Sequence, residues 1–301
     1  MPSRAGSFVL YAVLRSFLAV GGRLPLAVSR SIGRALGSAT FRLLPRSRGR
    51  IVNHLELAFP ELDGSRCREI ARGCATHFGL MLAEVAWLWH VQTSDVEKLC
   101  QLEGLEHIQS ALDDKRGAML ATAHCGNWEL LAARLPIAGV PLMSAVRELD
   151  DPRLDRLVTA IRTRFGIQIV PRGPAAGRQL ARMLARNGVG GLLIDQDIRD
   201  VPGVFVPFFG RPAWTPSGAA LLSIRMRCPM VPGFIHRRAD GTHLAEIHPP
   251  LPEPAAGSLE DRVAELTALA TAAIERQVRA HPEQWVWMHR RWRTQPESSE
   301  R

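Results

Sequence analysis

Lysine is almost missing from this 301-residue sequence: Lys98 and Lys115 are the only two among 38 basic residues. So strong a preference for arginine is what a GC-rich coding sequence produces, and it strips any single arginine of meaning by type alone. Cysteine is sparse as well. Cys67, Cys74, Cys100, Cys125 and Cys228 make an odd number with no C-x-x-C spacing. That pattern indicates neither a zinc site nor a disulfide framework, and reduced thiols facing the cytosol are expected. There is no internal repeat, and the one low-complexity stretch is the tail QPESSER. No small-residue cleavage site follows the apolar N-terminus, which argues against a removable signal peptide.

An uncharged run of bilayer length is missing too. Between Arg4 and Arg23 lie 18 mostly apolar residues interrupted by Arg15, and a charge at mid-bilayer costs roughly 3 kcal/mol on insertion. On a helix, Ser7, Tyr11 and Arg15 share one stripe, while Phe8, Val9, Leu10, Leu14, Phe17 and Leu18 cover the remaining faces. An amphipathic anchor lying in the membrane plane fits this better than a span; an ordinary core helix is the third reading.

What the sequence does have is apolar mass and positive charge. At 46% hydrophobic residues it can build a sizeable core and is not generally disordered. A net charge of +9 and a pI near 10.4 point to anionic partners: membrane phosphates, an acidic carrier protein or nucleic acid.

Roughly the first 95 residues read as helix without a strand candidate: one apolar helical stretch to Leu44-Pro45, another from Ile51 to Phe59, and a long one capped by Asp63 or Ser65 that runs through FGLMLAEVAWLWH. From there strands alternate with helices. Strands are expected at 117–123, GVPLMSAVR, IQIVPR, VGGLLIDQD, PMVPGFIHR and THLAEIHPPL. Between them fall helices at Leu105 to Leu112, from Trp128 behind an Asn127 N-cap, after Asp151-Pro152, from Gly173 to a stop at Gly188, and over TPSGAALLSIRMR. A final long helix begins with Ser258 and Asp261 in capping positions. The fold class is α/β, a mainly parallel mixed sheet flanked by helices, with an N-terminal helical membrane-facing layer over 1–95 and the α/β core over 96–301 as one continuous domain.

The stretch MLATAHCGNWELLAA places His124 and Glu129 five residues apart, where a strand gives way to a helix. On one continuous helix they would lie about 140° apart and could not cooperate. Across a strand-to-helix turn they can, and that edge of an open α/β sheet is where chemistry usually sits. A neutral imidazole suits a general base, and it needs a carboxylate to fix its tautomer. The plainer reading is a half-buried histidine beside a glutamate that merely favours the helix dipole. Cys125 is a rival nucleophile, but adjacent side chains at a strand end point to opposite faces, so a core cysteine is expected. Asp195, Gln196 and Asp197 close the GLLI strand on the same rim, with the two aspartates on one side and Gln196 on the other. Asp197 reads more simply as a polar turn. Arg147 ends another strand there, placed to hold a phosphate. VFVPFFG is either a lining for a hydrocarbon chain or a buried edge strand. HPEQWVWMHRRWR interleaves Trp285, Trp287 and Trp292 with arginines, as a membrane interface or a single-stranded nucleic acid site would, with at least one tryptophan expected in the core.

Taken together, TAHCGNWELLA, AVRELDDPRLDRLV, GLLIDQD, GVFVPFFGRPAWTPSGAALLSIR and HPEQWVWMHRRWR resemble, in order, the blocks of the bacterial lipid A biosynthesis acyltransferases, lauroyl and myristoyl transferases of the lysophospholipid acyltransferase superfamily. The resemblance implies transfer of a fatty acyl group from a thioester to a hydroxyl of a membrane glycolipid, at the cytoplasmic face of the inner membrane, with no metal or prosthetic group. Acyl carrier protein or CoA would present the donor. His124 would be the base, Glu129 would complete the box, and Asp195 stands where related phosphatidylinositol mannoside acyltransferases pair a carboxylate with the histidine. Asn127, Arg147, Gln196, Arg211 and Thr215 would bind substrate, and Val204, Phe205, Phe208 and Phe209 would line the acyl chain. Main-chain amides at Gly126-Asn127 would hold the oxyanion. An acceptor such as a phosphatidylinositol mannoside with acyl-CoA is the alternative. A nucleic-acid-binding protein is the distant one, and nucleic acid is not the expected partner, because carboxylates on the rim would repel phosphates.

Overall fold

The computed structural model describes residues 11, 15, 16 and 20–296; most of the anchor expected over 4–23 lies outside the described residues. Pro25 precedes helix α1 (Leu26–Leu43), and Pro45 opens α2 (Pro45–Ala58), so the break falls at Leu44. Helix α3 (Gly64–Leu88) starts at Asp63, whose carboxylate accepts the Arg66 amide; of the two expected caps it is Asp63 that serves. Helices α1 and α3 touch backbone to backbone. A Cβ on Gly79 would lie 2.0 Å from the Gly33 carbonyl oxygen, so only glycine permits this approach.

After α4 (Thr93–Leu99) the chain enters the sheet. In chain order it runs β1 (Cys100–Glu103), α5 (Glu106–Asp113), β2 (Ala118–Thr122), α6 (Trp128–Ile137), β3 (Leu142–Val146), α7 (Pro152–Thr163), β4 (Gln168–Pro171), α8 (Pro174–Ala185) and β5 (Val189–Leu193). It continues with β6 (Gly203–Phe208), β7 (Arg211–Pro216), α9 (Gly218–Met226), β8 (Met230–Arg237), β9 (His243–Ile247) and α10 (Leu259–Ala280), capped by the reciprocal Ser258–Asp261 box. Seven strands form one sheet in the order β1-β9-β8-β2-β5-β3-β4. Every pair is parallel except β8–β9. This is the mixed, mainly parallel α/β architecture. Central β2 is buried along its whole length, as a strand covered by helices on both faces must be.

The structure adds to the sequence reading at three places. The edge strand β1 carries no apolar run to announce it. Helix α8 ends at Ala185, and the left-handed residue after it is Asn187 (φ 61°), not Gly188; asparagine tolerates that conformation nearly as well. VFVPFFG is the strand of the two readings, buried at Val206, Phe208 and Phe209 and half-open at Val204 and Phe205. It is β6 of a separate antiparallel ribbon with β7, pressed onto α10.

One apolar cluster joins Ile51 of α2 and Cys67 and Cys74 of α3 to Met119 of β2, Ile274 of α10, and Trp285 and Trp287 of the C-terminal segment. Both tryptophans are fully buried, as is Arg291. The membrane-belt reading of that segment therefore fails for two of its three tryptophans. Past the end of α10 the chain folds back beneath the end of β2, through an antiparallel bridge between Cys125 and Trp285. Side chains that looked interfacial in sequence are core there. Each of the two buried tryptophans gains about 2–3 kcal/mol from burial.

Candidate active site

Strand register builds the site. Strands β2 and β5 are adjacent and parallel, with Thr122 opposite Leu193. The Ile194 amide then donates to the Thr122 carbonyl oxygen. His124 and Asp195 each stand two residues beyond that pair, so the two chains leave the sheet at one level and their side chains meet. His124 Nδ1 lies 2.8 Å from Asp195 Oδ1, and the His124 amide donates to Asp195 Oδ2 at 3.0 Å. The Trp285 indole N–H donates to the same Oδ2 at 2.8 Å. The carboxylate is sealed from solvent, whereas the imidazole is 23% exposed. Trp128, the first residue of α6, sets its ring edge-on to the imidazole at 4.9 Å between centroids.

Burial alone would raise the Asp195 pKa. The charge and hydrogen bonds of His124, with the Trp285 indole, outweigh it and hold the carboxyl below its ordinary value. An ionised carboxylate only accepts, so in the neutral form of the ring the proton sits on Nδ1, facing Asp195, and the lone pair on Nε2.

Glu129 is not brought to His124. Both its oxygens accept from the Arg162 guanidinium, at 2.5 to 3.1 Å, tying α6 to α7. Of the two carboxylates that could serve the histidine, geometry selects Asp195. Asp197, expected as a plain polar turn, is buried and accepts from the Thr294 amide and hydroxyl and from Arg293. Its own amide donates to His289 Nε2. Gln196, between the two aspartates, is half-buried.

The loop between β2 and α6 is held tightly. Gly126 adopts a left-handed φ of 57°, and a Cβ there would lie 2.0 Å from the Ile235 carbonyl oxygen. Its amide donates to the Gln284 carbonyl oxygen at 2.8 Å, so that amide is already committed and is not the oxyanion donor expected of it. Asn127 is fully buried. Its Oδ1 caps α6 by accepting the Leu130 amide, and its Nδ2 donates to Glu84; the side chain, expected at the substrate, is enclosed beneath the loop. Cys125 points into the core, where burial, aided by the Asp195 charge, pushes its thiol well above its ordinary pKa. It is no nucleophile.

The remaining expected substrate contacts divide. Arg147 is exposed at the end of β3, on the same rim, 3.8 Å from Asp150. Arg211 is exposed beside the β6–β7 turn, where Phe209 packs on Phe59 and under Arg279. Thr215 is fully buried and accepts from Arg291, which braces the ribbon. Phe208 and Phe209 are core, while Val204 and Phe205 are half-exposed; only the latter two remain available to an acyl chain. Among the described residues no cluster of three or more His, Cys, Asp or Glu side chains could hold a metal ion.

Sequence reasoning missed Trp285 as a donor to Asp195, and it missed His77 and Glu84 beneath the loop. Glu84 had left a signal, a lone carboxylate inside the apolar run FGLMLAEVAWLWH.

The family described as bacterial lipid A biosynthesis acyltransferase matches residues 1–294. The chain is 29% identical over 277 residues to the lipid A biosynthesis lauroyltransferase of Escherichia coli K12, covering 91% of this chain and 88% of that protein. It is 26% identical over 275 residues to the lipid A biosynthesis palmitoleoyltransferase of the same organism, with the same coverage. Against the phosphatidylinositol mannoside acyltransferase of Mycolicibacterium smegmatis it is 27% identical over 196 residues, 62% of this chain and 60% of that protein.

Proposed function

Because the chain belongs to the bacterial lipid A biosynthesis acyltransferase family, we propose that it moves a fatty acyl chain from an acyl carrier protein thioester to a hydroxyl of a lipid A precursor, with His124 as general base. The observation that carries this reading is the His124–Asp195 pair at the carboxyl edge of β2 and β5, sealed on the carboxylate side and open on the imidazole side. In the reaction Nε2 takes the proton of the acceptor hydroxyl while its oxygen attacks the thioester carbonyl. Asp195 stabilises the imidazolium that forms. As the tetrahedral intermediate collapses, the carbon–sulfur bond breaks and the proton passes from Nε2 to the leaving thiolate. With the Gly126 amide occupied, the first-turn amides of α6 at Trp128 and Glu129 are the donors a helix start offers to the oxyanion. No covalent enzyme intermediate is needed, in keeping with the buried Cys125. Arg147 serves a phosphate of donor or acceptor.

The site works at the cytoplasmic face of the inner membrane in this reading. Supporting it, Val28, Ile32 and Leu36, at four-residue spacing on α1, are exposed together with Leu43, Leu44 and Leu82. This exposed apolar face lets α1 and α2 meet the membrane in its plane; no helix among the described residues is long and apolar enough to cross a membrane.

The test is acyl transfer in detergent micelles from acyl carrier protein thioester to a tetra-acyl lipid A precursor. His124→Ala lowers turnover about 10³-fold, the usual worth of a positioned base, while Cys125→Ala retains activity. A folded His124→Ala variant with full activity would sink the mechanism. Similarity to the phosphatidylinositol mannoside acyltransferase supports a second reading, with a mannosylated phosphoinositide acceptor and acyl-CoA donor. Offering both acceptors and both donors to one preparation separates the two.

A further inference from the structure

Two side chains of α3 grip the loop that carries His124, and the reaction as proposed uses neither. His77 and Glu84 stand seven residues apart, two helical turns, and so share a face. His77, 4% exposed, donates from Nε2 to the Gly126 carbonyl oxygen at 3.1 Å. Glu84, with no exposure, accepts at Oε2 from Asn127 Nδ2 at 2.9 Å. Gly126 and Asn127 are the residues that turn the chain from His124 into α6.

Glu84 is also the hub of a buried charge cluster. Arg30 of α1 donates to it at 2.6 and 2.8 Å, Arg237 of β8 donates through both terminal nitrogens, and His243 of β9 stands 3.1 Å away. Enclosed ion clusters stabilise a fold no better than well-packed apolar groups of the same volume. Stability therefore does not account for a carboxylate here, whereas its bond to Asn127 does. Arg237 closes the circle: its amide donates to the Gln284 side chain, and the Gln284 carbonyl oxygen accepts the Gly126 amide.

We propose that Glu84 and His77 are positioning residues, which set the loop so that His124 meets Asp195 and leaves Nε2 facing the acceptor hydroxyl. The inference rests on His124 being the base. It predicts a defect in turnover rather than in binding, since a misplacement of about 1 Å at a reacting group costs about 10²-fold in rate.

Asn127→Ser is the informative variant. Serine still caps α6 but has no amide to offer Glu84, and the Glu84–arginine pairs stay intact. The expected result is a fall in kcat of about 10-fold or more with KM unchanged for both substrates, and a shift or broadening of the proton resonance of His124 Nδ1–H. His77→Leu should behave likewise, and His77→Gln, which keeps a donor, should recover part of the loss. Ile274→Ala in α10, matched in melting temperature, serves as the stability control and should keep its kcat and its resonance. Wild-type kcat and an unmoved resonance in Asn127→Ser and His77→Leu overturn the inference, as does an equal kcat loss in Ile274→Ala. If wild type transfers no acyl group yet the resonance moves in both loop variants, the acyl-transfer reading falls and the positioning role stands.

Discussion

At the scale of single residues the decisive contrast is between two carboxylates. Asp195 accepts from the His124 ring, the His124 amide and the Trp285 indole, whereas Glu129 is turned to Arg162. Asp195→Asn offers the imidazole an amide that can stabilise the wrong tautomer and cannot neutralise an imidazolium, so turnover should fall on the order of 10³–10⁴-fold with folding intact. Glu129 and Arg162 act as one unit. Glu129→Ala and Arg162→Ala should each lower kcat to a similar extent, and the double variant should be little worse than either, because removing one partner already breaks the unit. Steady-state kinetics on the four-member cycle checks this; an Arg162→Ala enzyme with wild-type kcat would return Glu129 to the chemistry. The sequence brought His124 and Glu129 into view because strand-to-helix spacing is local, and Asp195 because it ends an apolar strand at the same rim. It could not choose between the carboxylates, because the choice depends on the register of β2 against β5 and on the side to which α6 turns, both of which are tertiary.

At the scale of elements, α3 couples the fold to pH through His77. Burial first, then the Arg237 charge, lowers its pKa from 6.5 to about 4, against the opposing pull of the Gly126 carbonyl and of Glu84. The unfolded chain therefore binds a proton in the window between 6.5 and 4 that the folded chain refuses. Stability from this group is complete above pH 6.5 and lost as pH falls through 4, by about 3 kcal/mol at 1.36 kcal/mol per unit. Urea unfolding midpoints from pH 7.5 to 4 should fall less steeply for His77→Gln than for wild type; identical slopes would mean that His77 is protonated as readily in the folded chain. Helices with a strong period, such as α3 and α10, were plain in the sequence, and so was β2 as an unbroken apolar run. The edge strand β1 was not: Cys100 and Leu102 alternate with exposed Gln101 and Glu103, but four residues are too short a run for the alternation to stand out. The β6–β7 ribbon was ambiguous because VFVPFFG is apolar on both faces. Val206 and Phe208 go to the core, while Val204 and Phe205 stay half-open, a division made by α10 and not by the segment itself.

At the scale of the whole molecule, charge is divided as sharply as apolar surface. Nine of the 38 basic residues and none of the 29 acidic ones fall in the first 55 positions, which leaves 29 of each sign in the rest of the chain. The net +9 thus belongs to the segment that includes α1 and nearly all of α2, and the body bearing His124 and Asp195 is neutral overall. A nucleic-acid-binding protein would be expected to carry its arginines around the Trp285–Arg293 segment, but there Trp285, Trp287 and Arg291 are buried. On α1 and at the start of α2 the cations instead flank exposed Val28, Ile32, Leu36 and Leu43, the pairing of apolar and basic surface that suits an anionic bilayer. Arg34, Arg42 and Arg46 are exposed, and each basic residue near such a surface is worth about 1 kcal/mol. Replacing all three by Gln should therefore weaken binding to phosphatidylglycerol-containing vesicles by about two orders of magnitude in sedimentation at low salt. The melting temperature should be unmoved, because none of the three bears on the core. Raising the salt should erase most of the difference between variant and wild type, since screening removes the attraction that the substitution removed. Equal vesicle binding by the two proteins at low salt would show that the exposed leucines and isoleucine carry the contact alone and that the asymmetry of charge serves another end.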